Sequence, residues 1–298
     1  MSSPAEREAR LGLVAGLSAF SIWGLAPIYF KWLEAVGPDE IISHRVIWSV
    51  FLLGLVLLIR KRQEFWRHVR ISRASAGWLL VTGGLIALNW LIFVHAVNSD
   101  RVLSTSLGYY INPLMSVMLG LLVFRERLVP VQTVAVLLAA AGTGWLTYRI
   151  GQFPWIALSL ASTFAMYSVI RKLLQVGPMV GLFWETVFVA PWALAWLLWL
   201  LHDQRLAFAI AEPAQALLLV GTGALTVLPL LLFAAGVRRL PLSTVGLLQY
   251  LAPSITFLLA VFVYGEPFTM DHAITFGLVW TGLILFFWAA RQRSAVAT

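Results

Sequence analysis

The acid Glu185 stands well inside a long apolar run, between the charge-free stretches 173–184 and 186–201. A carboxylate there can carry a proton, pair with a cation or anchor a helix backbone, because intramembrane ionisable groups are costly and seldom idle. If it carries a proton, Glu185→Gln is expected to abolish any pH dependence of the protein's activity. The residue 140 places earlier is Arg45, beside His44. Glu40 and His44 are four apart, and Arg45 can snorkel, so this group reads as an outer-surface network rather than a substrate site. His95 is a lone helical histidine, more simply a packed or hydrogen-bonded residue than a ligand. The five histidines show no metal-ligand spacing, and the chain contains no cysteine, so metal and disulfide chemistry are not expected.

Other polar and aromatic side chains also interrupt the apolar runs. They are Trp23, Asn89, Trp90, Tyr110, Asn112, Tyr167, Gln249 and Tyr250. Trp and Tyr offer flat apolar walls with polar handles, and Asn and Gln offer hydrogen bonds. Taken singly, each is an ordinary packing or interfacial residue. Taken together, they describe a mainly neutral, aromatic cavity suited to amphipathic or zwitterionic solutes. Pro27, Pro113, Pro229 and Pro253 fall inside runs, where proline frees a carbonyl and bends a helix. There is no Walker loop, GxSxG or HExxH motif, so no cofactor and no enzymatic centre are expected, and any energy would come from a gradient or an exchanged solute.

These residues sit on elements dictated by composition. Hydrophobic residues make up 60% of the chain and charged ones 11%, against about 25% charge in a soluble domain. Crossing a bilayer takes roughly 20 apolar residues. The charge-free runs resolve into ten spans, apolar on all sides, which favours helices over strands. The apolar run after the polar N-terminus is too long for a signal-peptide core and is expected to be an uncleaved first span. The net charge of +8 is spread between the runs rather than gathered in a patch, which argues against nucleic acid as a partner. Ten spans put 16 Lys and Arg on the N-terminal side and five on the other, which predicts cytoplasmic termini. The segment Arg60 to Arg73 reads as a cytoplasmic anchor at anionic lipid.

The chain also repeats itself. Val36-Gly37-Pro38 recurs as Val176-Gly177-Pro178, and Tyr110, Pro113 and Glu126 meet Tyr250, Pro253 and Glu266 at the same offset of 140. The predicted domains are 1–149 and 150–298, five helices each. Five is odd, so the second half enters from the opposite side, the arrangement associated with alternating access. The expected partners are a small-molecule solute and membrane lipid. The rival readings are a non-transporting scaffold or sensor, and a lipid-handling membrane protein or membrane enzyme.

The segments SIWGLAPIYFKW (21–32), DEIISHRVIWS (39–49), NWLIFVHAVNS (89–99), LGYYINPLMSVMLG (107–120) and LSTVGLLQYLAPSITFLLAVFVYGE (242–266) carry a resemblance. The chain resembles the RarD family of chloramphenicol-sensitivity proteins, EamA-type members of the drug/metabolite transporter superfamily. That resemblance implies an all-α membrane fold of ten helices in two inverted EamA repeats, with cytoplasmic termini in a bacterial-type inner membrane. It also implies a central cavity formed by helices 1, 3, 4, 6, 8 and 9; taken with the repeats, the function expected is export or exchange of amino-acid-like or other small organic metabolites. Such repeats commonly end their fourth helix with Gly-Glu. Gly265-Glu266 keeps the pair, whereas the first half has Arg125-Glu126, so the turn there is expected not to need a glycine conformation.

Overall fold

The computed structural model describes residues 4–60, 69–98, 102–151, 155–210, 212–265 and 269–296. All regular structure among them is helical. The helices are α1 (Pro4–Lys31), α2 (Pro38–Arg60), α3 (Arg73–Asn98), α4 (Val102–Val123), α5 (Pro130–Ile150), α6 (Trp155–Leu173), α7 (Pro178–His202), α8 (Pro213–Arg239), α9 (Leu242–Leu248), α10 (Leu251–Phe262) and α11 (Met270–Val296). A single turn, Ala207–Ile210, precedes α8. Five helices begin with proline, which costs nothing at a first position whose N–H has no partner in the helix. The repeated Val-Gly-Pro is therefore the start signal of α2 and of α7.

Eight helical stretches are long and apolar enough to cross a membrane, and Tyr109–Val123 and Met270–Phe286 are shorter apolar helices. Large apolar side chains cover the outside, Trp192 and Phe262 each 79% exposed. Water would not tolerate such a surface over the whole molecule, and lipid does.

The main packing contacts join residues before 150 to residues after it. The principal partners are α5 with α11, α1 with α8, α4 with α6, α2 with α8, α2 with α7, α4 with α9, α3 with α6, α1 with α10 and α3 with α7. Counting α9 and α10 as one irregular span, moving every helix five spans on maps this set onto itself. The self-paired helices run antiparallel. In α2 and α7, Asp39 meets Trp196 while Leu53 packs with Leu182. In α4 and α9, Glu126 meets Ser243 while Tyr110 meets Tyr250. In α5 and α11, Gly142 approaches Thr275 while Gly282 approaches Ala135.

The expected effect of Pro253 falls at Gln249 and Tyr250, where the helix turns irregular but stays hydrogen-bonded: the Tyr250 amide bonds the Leu247 carbonyl at 3.2 Å and the Ala252 amide the Gln249 carbonyl at 3.3 Å. Pro253 explains the place. Its ring clashes with the carbonyl four residues back, that of Gln249, and it donates no N–H. Pro191 in α7 is a further in-helix proline that the sequence reading passed over. The turn after α4 corrects an expectation: Arg125 has φ 52, the same left-handed region as Gly265 at φ 70. The amide of Glu126 closes this turn on the Gly120 carbonyl at 3.2 Å, a hydrogen bond that holds the arginine in a glycine-like conformation. Glu266 lies outside the described residues, as does 61–68 of the basic segment.

Candidate functional site

The site is built around Glu185 on α7, where α3 and α6 converge. Gly83 lets α3 approach closely: a Cβ there would stand 3.0 Å from the Glu185 carbonyl oxygen. Thr82 donates its hydroxyl to Glu185 Oε1 at 2.7 Å, and the Tyr167 hydroxyl lies 3.4 Å from Oε2. Arg171, in the last turn of α6, reaches Glu185 with Nη1 3.6 Å from Oε1, and both side chains are 2% exposed. Gly181 makes room for that guanidinium, since a Cβ there would collide with it. Arg171 also donates to the Pro178 carbonyl at 3.3 Å. Arg171 and Lys172, two of the 16 basic residues assigned to the N-terminal side, were expected between spans. They instead belong to the last turn of α6, where Arg171 is buried and Lys172 binds the carbonyls of Val237 and Leu240. The cation facing Glu185 is thus Arg171, not its repeat mate Arg45.

Beside Glu185 lies a cavity of ≈ 10 Å³, room for about one water, lined by Trp90, Tyr167, Glu185, Thr186 and the aliphatic Val46, Ile86, Leu182, Val189 and Leu230. These residues come from α2, α3, α6, α7 and α8. Two of the eight sequence candidates, Trp90 and Tyr167, meet here. The others go elsewhere. Trp23 packs into an aromatic cluster with Phe20, Phe164 and Phe233, the last stacked on Tyr167. Asn89 spends its amide nitrogen on α6, donating at 2.8 Å to the Leu160 carbonyl and to Thr163 Oγ1. Tyr110, Gln249 and Tyr250 form the α4–α9 seam, where Tyr250 donates to the Tyr110 carbonyl at 3.1 Å and Gln249 to Ser116 Oγ at 2.9 Å. Two amide oxygens, Asn112 Oδ1 and Gln249 Oε1, are buried without a hydrogen-bond partner among the described residues.

Arg45 does not snorkel. Its Nε donates to Thr226 Oγ1 on α8 at 2.9 Å, and its guanidinium lies over the rings of Trp90 at 4.8 Å and Phe30 at 5.6 Å. An acceptor and two aromatic faces inside the bundle hold it there, so its reading as an outer-surface group is corrected. The neighbouring network is present as spaced: His44 Nε2 is 3.6 Å from Glu40 Oε1, and Trp48 donates to His44 Nδ1 at 3.1 Å. Glu40 also accepts the amides of Ala207 and Phe208, each at 2.9 Å. His95 is on α3, and its side chain lies outside the described residues. Pro27, Pro113 and Pro229 are inside α1, α4 and α8. Among the described residues no three His, Cys, Asp or Glu groups gather to hold a metal.

The fold and site together define a polytopic helical membrane protein with a polar centre between crossed helix pairs. A sequence model of the EamA-like transporter family matches residues 10–148 and again 154–288. A protein of Vibrio cholerae named "Uncharacterized transporter" is 45% identical over 287 residues, 95% of this chain and 94% of that one. Protein RarD of Escherichia coli is 38% identical over 280 residues, 94% of this chain and 95% of its own. A solved crystal structure covers 94% of this chain and 98% of its own with a TM-score of 0.71, and at 19% identity it shows the shared fold. The chain belongs to the EamA-like transporter family, among its RarD proteins. Family and relatives mark a multi-pass membrane transporter rather than an enzyme.

Proposed function

We propose that the protein is a secondary transporter of small organic metabolites in a bacterial inner membrane, working by alternating access between two inverted five-helix repeats, residues 1–149 and 150–298, with both termini cytoplasmic. The observation that carries this reading is the packing pattern. The set of helix pairs survives exchange of the halves, and the self-paired helices cross antiparallel, as a two-fold axis lying in the membrane plane requires. Ten spans follow when Tyr109–Val123 and Met270–Phe286 are counted with the eight longer stretches.

The cavity at Trp90, Tyr167 and Glu185 lies between the halves and is too small for an organic solute. We read it as the centre of an occluded pathway that widens when the halves rock apart. The unpartnered oxygens of Asn112 and Gln249 are positions a solute N–H would satisfy. Glu185, held by Arg171, Thr82 and Tyr167, serves as a structural anchor between α3, α6 and α7 rather than a proton carrier. Export or exchange is the direction favoured for amino-acid-like or amphipathic solutes. The test is flux into proteoliposomes over a metabolite panel. Saturable, protein-dependent flux of at least one solute is expected. Folded protein that moves none of them would overturn the transporter mechanism.

A further inference from the structure

We infer that Arg45 is a carboxylate clamp, and that the solutes recognised here carry a carboxylate on an apolar or aromatic body. The inference rests on the transport reading for its purpose but stands on separate observations. Four other cations of the described helices face an acid, Arg171 with Glu185, Lys172 with Glu126, Arg149 with Asp271 and Arg239 with Glu8, while Arg238 is capped by the Val176 carbonyl. Arg45 lies within 4.0 Å of no carboxylate among the described residues, and its one hydrogen bond is through Nε to Thr226. That bond fixes the plane of the guanidinium and leaves both Nη groups, the prongs of the fork, without a hydrogen-bond partner among those residues. A planar fork of two parallel N–H donors matches a carboxylate, whereas a point charge does not.

The surroundings fit the rest of such a solute. Trp90 and Phe30 flank the guanidinium. Tyr109 is half exposed and Arg45 is only half-buried, so the guanidinium is not sealed off among the described residues. Trp90 also lines the small cavity that reaches Tyr167 and Glu185, so the clamp and the centre of the pathway share one side chain. An unpaired cation inside a membrane bundle is costly. A cation–π role alone would hold helices together but would not distinguish a carboxylate from its amide.

The test uses the full-length protein in detergent and equilibrium dialysis with 3-phenylpropionate and its neutral isostere 3-phenylpropanamide. The acid is expected to bind saturably, and the amide about tenfold more weakly or worse. Arg45→Gln should bring the acid down to the affinity of the amide. Thr226→Val, which removes the oxygen that aims the guanidinium, should weaken the acid severalfold and leave the amide unchanged. Equal affinities of acid and amide for the unaltered protein, absence of saturable acid binding, or an Arg45→Gln protein that keeps its acid preference would each overturn the clamp. The comparison of acid with amide needs no variant, so a misfolded substitution does not protect the idea. Flux of solutes without preference for acids would defeat the clamp and leave transport standing. Acid binding without any flux would do the reverse.

Discussion

Arg171 and Glu185 face each other with both side chains 2% exposed, and the neutral partners around them, Thr82, Tyr167 and the Pro178 carbonyl, supply hydrogen bonds but no counter-charge. The gain from such a pair over an apolar one is small, but breaking it strands a charge, which costs about 3 kcal/mol or more. Glu185→Gln keeps an oxygen for Thr82 and leaves Arg171 without its counter-charge. The expected result is a loss of about 3 kcal/mol in unfolding stability in detergent, most of it recovered when Arg171→Met is added. Simple additivity of the two substitutions would show that the contact carries no coupling. The acid was legible in the sequence because it alone interrupts a long apolar run. Its partner was not, because Arg171 stands next to Lys172 at the edge of a run and looks like a loop charge. The small residue opposite it, Gly181, was the available signal: a guanidinium needs a gap, and a glycine four residues before the acid, on the same helical face, supplies one.

Among the helices, α2 and α8 approach most closely where Gly223 meets Trp48. A Cβ on Gly223 would stand 2.6 Å from Trp48 Cβ and 2.7 Å from its backbone carbon. Backbone cannot swing aside as a side-chain tip can, so Gly223→Ala must push the helices apart, at a cost of about 1–3 kcal/mol. Gly144 on α5 has nothing within 4 Å of the same position, and Gly144→Ala should be neutral or stabilising by up to about 1 kcal/mol, since alanine is the better helix former. Thermal unfolding of the two variants side by side checks this, and equal behaviour would contradict the close approach. Helix existence was legible from charge-free runs and from the prolines at helix starts. The irregular turn at Gln249 was not, because Pro253 announces a bend but not how the backbone before it adjusts: Pro113 lies within a regular α4, whereas before its repeat mate Pro253 the Tyr250 amide shifts to the Leu247 carbonyl at 3.2 Å. The candidate site was only partly legible for a similar reason. Polar residues on a span can face a cavity or another helix, and Asn89, Tyr110, Gln249 and Tyr250 use their hydrogen bonds to tie helices together.

At the scale of the whole molecule, the two ends of the bundle are tied differently. At the end carrying the N-terminus, Glu126 accepts the amides of Leu242 and Ser243 at 2.6 and 2.9 Å, and Arg239 reaches Glu8 at 2.9 Å. At the opposite end Arg149 holds Asp271 at 3.0 Å and Trp196 donates to Asp39 at 3.0 Å. Both sets cross between the halves, so under the proposed alternating access one set would have to release while the other holds. Which end faces the cytoplasm is predicted from charge: with ten spans, 16 of the 21 Lys and Arg fall on the N-terminal side, and basic residues are retained inside, so that end is expected in the cytoplasm. The absence of cysteine makes this directly measurable. Ser72→Cys and Gln204→Cys each place one thiol at an exposed position, just before α3 and just after α7. In intact cells a membrane-impermeant maleimide should label residue 204 at once and residue 72 only after permeabilisation. The converse pattern would reverse the orientation of every helix. Labelling of both without permeabilisation would place 72 and 204 on one side, which an odd number of spans between them forbids, and the ten-span topology would fall with it.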